Sequence, residues 1–218
     1  KDAARLVRDT VDNYCSSADF DIAVRHIPFT LEQGHPLFEQ FTTTILDSAC
    51  EMWEELQDPD GRKFRCSHDM YRKLWALTQP TMPYDVIMLD EAQDTPPVVE
   101  KVFRDQPALR VAVGDSSQSL YEFTGAVDAL RKLRENDADA VERQLLQSFR
   151  FGQKIADLAN RWLSLPVMQT TMQVIGNPAV DSRIDYLDTA GAILCRTNAG
   201  AFGVVMDNVM AGRKTALV

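Results

Sequence analysis

The sequence predicts an α/β protein in which a parallel sheet follows a mainly helical N-terminal region. After about residue 84, short apolar segments alternate with segments of helical period, which is the pattern of parallel strands joined by helices. The first 80 residues instead carry helical patterns. With 218 residues and 45% hydrophobic composition, the chain can bury a sizeable core in one large domain or two small ones.

Three helical segments are predicted in the N-terminal region. The first covers residues 2–14, where apolar side chains recur at helical spacing, and the second covers residues 37–56 as one or two helices. A DPDG turn at 58–61 closes the second segment. Aromatic and leucine side chains spaced three and four apart predict a third helix over 68–77, which ends before Pro80.

The stretch YDVIMLDEAQD changes character abruptly after Leu89. The apolar run Val86–Leu89 contains β-branched residues and predicts a strand that is buried on both faces of a parallel sheet. Acidic and amide side chains follow it, beginning with Asp90 and Glu91. Ligands of open α/β sheets bind beyond the carboxyl ends of the strands. These two carboxylates are therefore well placed to hold a cation and act on a polar substrate.

The remaining elements alternate along the chain. Four more helices are predicted over residues 96–104, 127–134, 153–165 and 201–210. Four more strands are predicted over residues 110–113, 141–146, 192–195 and 215–218. Residues 168–188 have no clear period and are predicted to form a loop or insertion.

Charge and cysteine usage narrow the class of protein. The net charge of −9 argues against a broadly basic duplex-binding surface, although a local nucleic-acid groove remains compatible with it. Four scattered cysteines without a CxxC pair favour reduced thiols in the cytosol. Apolar runs fall short of the roughly 20 residues that cross a bilayer, and the first ten residues have no signal core. We therefore expect a soluble cytoplasmic protein without a membrane partner.

The acidic pair after the first strand suits phosphoryl chemistry. Asp90 could hold Mg²⁺ through water, while Glu91 orients or deprotonates the water that attacks a phosphoryl group. A DE pair is a short pattern, and a solvated acidic loop is the alternative interpretation.

A polar segment, VGDSSQSLYEFTGA, follows the second strand. Gln118 can donate to and accept from phosphate and water. Tyr121 and Phe123 are one residue apart, so an extended backbone places both rings on one side, where they can stack two bases. Alternatively, both rings belong to the core. Their polar neighbours favour exposure.

Two further segments carry candidate site residues. In QSFRFG, Arg150 could reach a γ-phosphate across a cleft, and Phe149 could stack on a nucleobase. A structural ion pair for Arg150 and a core position for Phe149 are the alternatives. In CRTNAG, Arg196 and Asn198 suit phosphate or base contacts, but a turn that uses the asparagine explains the pattern equally well.

The order DEAQD, VGDSSQSLYEFTGA, QSFRF and ILCRTNA resembles the middle motifs of the UvrD/Rep-type superfamily 1 DNA helicases. The motif SFRFG, together with the segment HDMYRKLW at residues 68–75, is most similar to the F-box DNA helicase branch and its bacterial or phage relatives. The resemblance covers residues 58–218. No F-box is apparent in the sequence.

The resemblance implies an ATP site that uses Mg²⁺. By position, it implies that Asp90 is the magnesium residue and that Glu91 is the base for ATP hydrolysis. It also implies that Gln118 senses the γ-phosphate. Phe149 corresponds to a ring near the adenine, and Arg150 corresponds to an arginine that reaches the γ-phosphate from a second lobe.

The resemblance also implies contacts with single-stranded DNA, or with DNA that has a single-stranded tail. Tyr121 and Phe123 correspond to the base-stacking aromatics, while Arg196 and Asn198 correspond to a single-strand contact. Many relatives have an arginine where Thr124 stands, so one backbone contact is in doubt. The implied activity is ATP-driven 3′ to 5′ movement with duplex unwinding.

The implied architecture is RecA-like, with a parallel sheet of the P-loop NTPase type. Residues 1–80 would form a helical subdomain, residues 81–146 part of a first RecA-like lobe, and residues 147–218 the start of an incomplete second lobe. A eukaryotic source would make the expected location nuclear rather than cytoplasmic.

The phosphate-binding pattern GxxxxGK[ST] does not occur in the 218 residues. Neither GRKF at Gly61 nor GRKT at Gly212 supplies it. The sequence is therefore expected to be a fragment whose own ATP turnover is absent. The alternative function is a catalytically inactive helicase-like module that binds single-stranded DNA or another protein.

Overall fold

The computed structural model describes residues 2–29, 32, 34–118, 129–168, 170–187 and 190–217. Two compact units, Lys1–Gln144 and Leu145–Val218, divide the chain. Seven α-helices lie within the described ranges: α1 Asp2–Ser16, α2 Phe38–Gln57, α3 His68–Leu77, α4 Pro97–Arg104, α5 Ala129–Asn136, α6 Gln153–Leu163 and α7 Asn198–Met210. Over these same ranges, no helix combines the length and apolar character required to span a membrane.

Helices α1, α2 and α3 build the first core. In α1 the buried residues recur three and four apart, which places them on one helical face. The Tyr14 ring meets Trp53 of α2 edge to face, with 5.2 Å between the centroids, an arrangement worth about 0.5–1.5 kcal/mol beyond burial. The cluster consists of Val11, Tyr14, Cys15, Ala49, Trp53 and Met70.

Helix α3 begins with a side-chain cap. Ser67 Oγ accepts the Met70 N–H at 3.3 Å and satisfies one of the free amides of the first turn. The helix is confirmed at its predicted ends. However, Tyr71 and Trp75, whose spacing predicted it, stay 54% and 43% exposed. Met70 and Lys73 carry the buried face instead.

The sheet of the first unit contains β1 Val86–Leu89 and β2 Leu109–Ala112. The two strands pair in parallel, with Val86 opposite Leu109, and α4 lies between them in the chain. The predicted parallel connection is confirmed. The expectation that β1 is buried on both faces is wrong, because Val86 is 49% and Met88 71% exposed. Within the described residues, that face of the sheet has no covering layer.

Two ion pairs connect α5 and the residue after it to the rest of the first unit. Lys132 Nζ lies 3.7 Å from Glu100 Oε2 on α4, and Asp137 Oδ2 lies 2.8 Å from Arg110 on β2. The Glu100 carboxylate is almost completely buried. A buried carboxylate needs a cationic partner, and Glu100 has two, since Arg104 of α4 lies 3.4 Å from its Oε1.

The second unit has α6, α7 and irregular connections. Asn160 of α6 donates to Val174 O at 2.9 Å and accepts the Val174 N–H at 2.8 Å. A parallel bridge joins Gln147 to Ile175. The segment 168–188 begins at the end of a 3₁₀ turn, Pro166–Met168, and apart from the bridge at Ile175 its described residues form loop, as predicted.

Three predicted strands are wrong. Residues 141–146, 192–195 and the described part of 215–218 form no strand among the described residues. Leu146 O accepts the Ile175 N–H at 2.8 Å, but this bond belongs to the isolated bridge at Gln147. Their apolar side chains are largely exposed, with Leu145 at 89% and Leu194 at 98%. A strand needs a neighbour to pair its backbone N–H and C=O groups. Apolar composition alone therefore did not produce strands here.

Candidate functional site

The carboxyl end of β1 turns sharply at the acidic pair. Asp90 and Glu91 are both exposed, and Asp90 Oδ1 accepts the Glu91 N–H at 3.0 Å. Glu91 has φ 50° and ψ 43°, the left-handed region that costs a residue other than glycine about 1–2 kcal/mol. The chain then enters a 3₁₀ turn at Ala92–Asp94. A strained residue therefore stands where a catalytic carboxylate is predicted.

The carboxyl end of β2 is organised by Asp115. Its Oδ1 accepts the Ser117 N–H at 2.9 Å and also the Ser117 hydroxyl, which closes a turn of the Asx type. Its Oδ2 accepts from Gln118 Nε2 at 2.5 Å. Gln118 ends the 3₁₀ turn Ser116–Gln118 and is exposed. Asp115 therefore holds the amide of Gln118 at the end of the strand.

Backbone hydrogen bonds bring the two strand ends together. Val113 donates to Leu89 O at 2.8 Å, and Ala92 donates to Val113 O at 3.0 Å. The parallel register thus continues for one residue beyond the strands. The acidic pair and the segment that carries Gln118 consequently follow neighbouring strands at the same sheet edge, the usual ligand position of open α/β sheets.

A buried glutamine joins the same two ends through its side chain. Gln93 is 2% exposed. Its Nε2 donates to Glu91 Oε2 at 2.7 Å, and its Oε1 accepts the Asp115 N–H at 3.0 Å. Gly114 makes this approach possible, because a Cβ there would lie 2.3 Å from Gln93 Oε1 and 2.9 Å from Ala92 N.

The site presents oxygen ligands that suit Mg²⁺. This cation is typically held by one or two carboxylates, with water and substrate phosphate oxygens completing an octahedron. Asp90 is exposed at the strand end and can serve as that carboxylate. No group of three or more potential ligands that could hold a metal occurs in the part of the chain that is described. The exposed Asp90 carboxylate is thus a candidate ligand for such an ion.

The candidate residues of the second unit are all exposed. Phe149 is 80% exposed, which contradicts the core alternative. The backbone N–H of Arg150 donates to Ser148 Oγ at 3.1 Å. No carboxylate of the described residues lies within ion-pair distance of the Arg150 guanidinium, so the structural ion pair is not seen.

The segment CRTNAG forms the start of α7. Arg196 and Asn198 are exposed, and Asn198 is the first residue of the helix rather than part of a turn. Thr197 caps the helix, since its Oγ1 accepts the Gly200 N–H at 3.1 Å. The helix was predicted to begin three residues later. Its first turn leaves both candidate side chains open to solvent.

The two predicted stacking aromatics, Tyr121 and Phe123, lie outside the described residues. Their proposed contact with bases therefore stays a prediction.

Comparison with known proteins agrees with the motifs. The UvrD/REP helicase N-terminal domain matches residues 46–138, a range that contains both strand ends. F-box DNA helicase 1 of Gallus gallus is 33% identical over 160 residues, covering 70% of this chain. F-box DNA helicase protein 1 of Schizosaccharomyces pombe is 32% identical over 161 residues, covering 72% of this chain. These matches support a UvrD-like superfamily 1 helicase of the F-box helicase branch.

This UvrD-like chain corresponds to 15% and 18% of the length of those two relatives. It therefore spans less than a fifth of the curated relatives that it matches.

The structure adds two side chains that the sequence did not assign a role in this UvrD-like site. Asp115 and Gln93 do not stand out in the sequence as site residues. In the structure, however, they link Glu91 to Gln118 through hydrogen bonds. The Asp-Ser-Ser order after Gly114 is a usable signal for Asp115, because such residues form Asx turns. The contacts of Gln93 depend on the register of β1 and β2, which the sequence does not encode locally.

Proposed function

We propose that this chain is part of an ATP-dependent DNA helicase that moves 3′ to 5′ along single-stranded DNA and unwinds duplexes. The observation that carries the proposal is the joined end of β1 and β2. There, a carboxylate pair and a glutamine follow neighbouring parallel strands and are connected by hydrogen bonds. The matches to the UvrD-like family support the same assignment.

In the proposed ATP site, each residue has a positional role. Asp90 holds Mg²⁺, which neutralises charge on the phosphate oxygens when bound. Glu91 orients the attacking water and accepts its proton. Gln118 contacts the γ-phosphate, with its amide held by Asp115. Phosphoryl transfer needs chiefly this kind of positioning and charge stabilisation.

Phe149 and Arg150 are also proposed to contact the nucleotide, on the basis of their sequence motif. Phe149 has an exposed ring that can lie against the adenine. Arg150 supplies the positive charge that stabilises the γ-phosphate in the transition state. Residues 81–146 and 147–218 are proposed as parts of two RecA-like lobes, and residues 1–80 as a helical subdomain. The protein would act in the cytoplasm, or in the nucleus of a eukaryote.

DNA is proposed to bind locally, because the net charge of −9 opposes a broad electrostatic surface. Tyr121 and Phe123 would stack bases, and Arg196 and Asn198 would contact the strand. Base stacking on aromatics is worth about 1–3 kcal/mol per base and tolerates any sequence. Binding should therefore be independent of sequence and sensitive to salt.

The ATPase assignment is tested with Glu91→Gln in the full-length protein that contains this chain. Turnover should fall by about 10²–10⁴-fold, since the general base is removed, while ATP binding remains. Glu135→Gln, which changes an exposed carboxylate of α5, is the matched control and should retain the parental rate. A Glu91→Gln protein that hydrolyses ATP at that rate would reject the role of Glu91.

The DNA assignment is tested with 3′-tailed and 5′-tailed duplexes. The proposal expects ATP-dependent unwinding of the 3′-tailed duplex, and unwinding of the 5′-tailed duplex alone would reject the polarity. Tyr121→Ala combined with Phe123→Ala should remove the stimulation of ATPase by single-stranded DNA. Binding of DNA without any ATP turnover would leave the inactive binding module as the function.

A further inference from the structure

We infer that Gln93 is a positioning residue that holds the Glu91 carboxylate and the Gln118 segment in one fixed arrangement. The inference rests on the proposed function, because it gives a role to a side chain behind the proposed ATP site. It assigns to Gln93 no contact with nucleotide. Its effect would be exerted through Glu91 and Asp115.

The burial and bonding of Gln93 leave its amide no freedom. The side chain is 2% exposed. Nε2 donates to Glu91 Oε2 at 2.7 Å and faces Asp94 Oδ2 at 3.5 Å, while Oε1 accepts the Asp115 N–H at 3.0 Å. Ionised carboxylates only accept and a backbone N–H only donates. Only one orientation of the amide therefore satisfies both strand ends.

The connection continues from Gln93 to Gln118. Asp115, whose N–H is bound by Gln93, accepts from Gln118 Nε2 at 2.5 Å. Four side chains and one backbone N–H thus link the proposed base to the proposed γ-phosphate contact. A shift of Gln93 would displace both groups, and a misplacement of about 1 Å can cost roughly a hundredfold in rate.

Glu91 needs an external support of this kind. Its left-handed backbone is sparsely populated for residues other than glycine and persists only where the surroundings hold it. The Glu91 side chain is exposed to solvent, so it has little packing to fix its rotamer. The hydrogen bond from Gln93 supplies a buried anchor for the carboxylate.

Gln106 is a matched control in the same unit. It is 6% exposed and also uses both ends of its amide. Nε2 donates to Pro80 O and Val102 O, and Oε1 accepts the Met82 N–H, each at 2.8 Å. All these partners are backbone groups away from the strand-end site. Replacing Gln106 therefore measures the loss of a buried, bonded glutamine without any effect on Glu91.

The test uses Gln93→Met, Gln93→Glu and Gln106→Met in the full-length protein, with ATP turnover stimulated by single-stranded DNA. Gln93→Met removes both contacts. Gln93→Glu keeps an acceptor for the Asp115 N–H but places a second carboxylate against Glu91. Both should lower kcat by at least about tenfold and change KM for ATP by less than about threefold, because the nucleotide itself is not contacted. Gln106→Met should lower the Tm and retain kcat.

A double-variant cycle separates positioning from loss of stability. If Gln93 acts through Gln118, the kcat loss of Gln93→Met with Gln118→Ala should be smaller than the product of the two single losses. Two outcomes would overturn the inference on Gln93 and leave the proposed function standing. One is that the two single losses multiply in the double variant. The other is that Gln93→Met keeps the parental kcat while Glu91→Gln is inactive. Absence of turnover in the unaltered protein would overturn the proposed function and this inference together. If Gln93→Met does not fold, the test rests on Gln93→Glu: a kcat at least about tenfold below the parental value supports the inference, and a parental kcat overturns it.

Discussion

The ammonium of Lys73 lies 4.1 Å from the centroid of the Tyr14 ring, inside the helical core of the first unit. Lys73 is 1% exposed and donates to the carbonyl oxygens of Ser17, at 2.9 Å, and Asp19. Burial lowers the pKa of Lys73 to about 8. The ring and the two carbonyls thus offset only part of the cost of removing the charge from water.

This burial predicts that stability rises with pH above about 8. The folded pKa lies near 8 and the unfolded pKa near 10.5, so the unfolded chain binds more protons in that window. Relative to Lys73→Met, the free energy of unfolding should rise by about 2 kcal/mol between pH 8 and pH 10. Burial raises the pKa of the Cys15 thiol to about 12, which opposes the rise in both chains. Lys73→Met should lack this rise. Urea unfolding at several pH values measures the difference.

The exposed Lys63, on the loop before α3, provides the control. Lys63→Met should retain the rise with pH. Burial raises the pKa of Tyr14 to about 12. Above pH 10 the unfolded tyrosine ionises more readily than the folded one, so the free energy of unfolding falls. The measurements should therefore stay below pH 10. Equal slopes in Lys73→Met and the unaltered chain would contradict the prediction.

A second pH dependence is predicted at His26, which is 4% exposed. Its Nδ1 accepts the Ala23 N–H at 2.9 Å, so the neutral ring donates from Nε2 to Asp19 Oδ2 at 2.9 Å. Burial lowers the pKa of His26, although the hydrogen bond to Asp19 opposes the shift. The neutral ring therefore stabilises the folded state above pH 6.5, and this stabilisation is lost as the pH falls through the lowered pKa of His26.

His26→Gln should make the chain less sensitive to acid. Protonation of Nδ1 breaks the bond from Ala23, which is worth about 1 kcal/mol. The unaltered chain should thus lose about 1 kcal/mol more than His26→Gln between pH 7.5 and pH 5.5, measured by urea unfolding. The exposed His35 provides the control, and His35→Gln should follow the unaltered chain. An identical acid response in His26→Gln would exclude this role.

The sequence predicted elements whose pattern is local. Helix α4 has its predicted end at Arg104 because Pro97 suits the first turn and its apolar residues share one face. Strand β1 was found at its predicted residues because a β-branched apolar run ends at Asp90. The position of Asp90 and Glu91 at a strand end followed from the same local change in polarity.

Features set by distant contacts were not predictable. Lys73 is a core residue because carbonyls more than fifty residues earlier surround its ammonium, whereas lysine is usually exposed. The segment 192–195 has strand composition but no partner in the described chain. The contacts of Gln93 require β1 and β2 to pair in one register. These outcomes depend on which segments meet, and local propensity does not determine that.

Gln79, immediately after the C-cap of α3, is predicted to be a stabilising site. Its φ is 49°, and its N–H donates to Ala76 O at 3.0 Å, as at helix ends that favour glycine. Gln79→Gly should raise the free energy of unfolding by about 0.5–1 kcal/mol, since the Cβ strain is removed. Gln40→Gly, inside α2, should lower it by about 1 kcal/mol. A destabilised Gln79→Gly chain would contradict the prediction.

Gly114 is predicted to tolerate no side chain, because the two strand ends approach each other at its Cα. An alanine Cβ would meet Gln93 Oε1 at 2.3 Å and Ala92 N at 2.9 Å. Gly114→Ala should therefore lower the free energy of unfolding by about 1–3 kcal/mol in urea and reduce ATP turnover of the full-length protein. Gly203→Ala, in α7 with open space around its Cα, should instead stabilise by about 0.5–1 kcal/mol. Equal stability of Gly114→Ala and the unaltered chain would show that the strand ends can separate freely, and the fixed link from Glu91 to Gln118 would then be wrong.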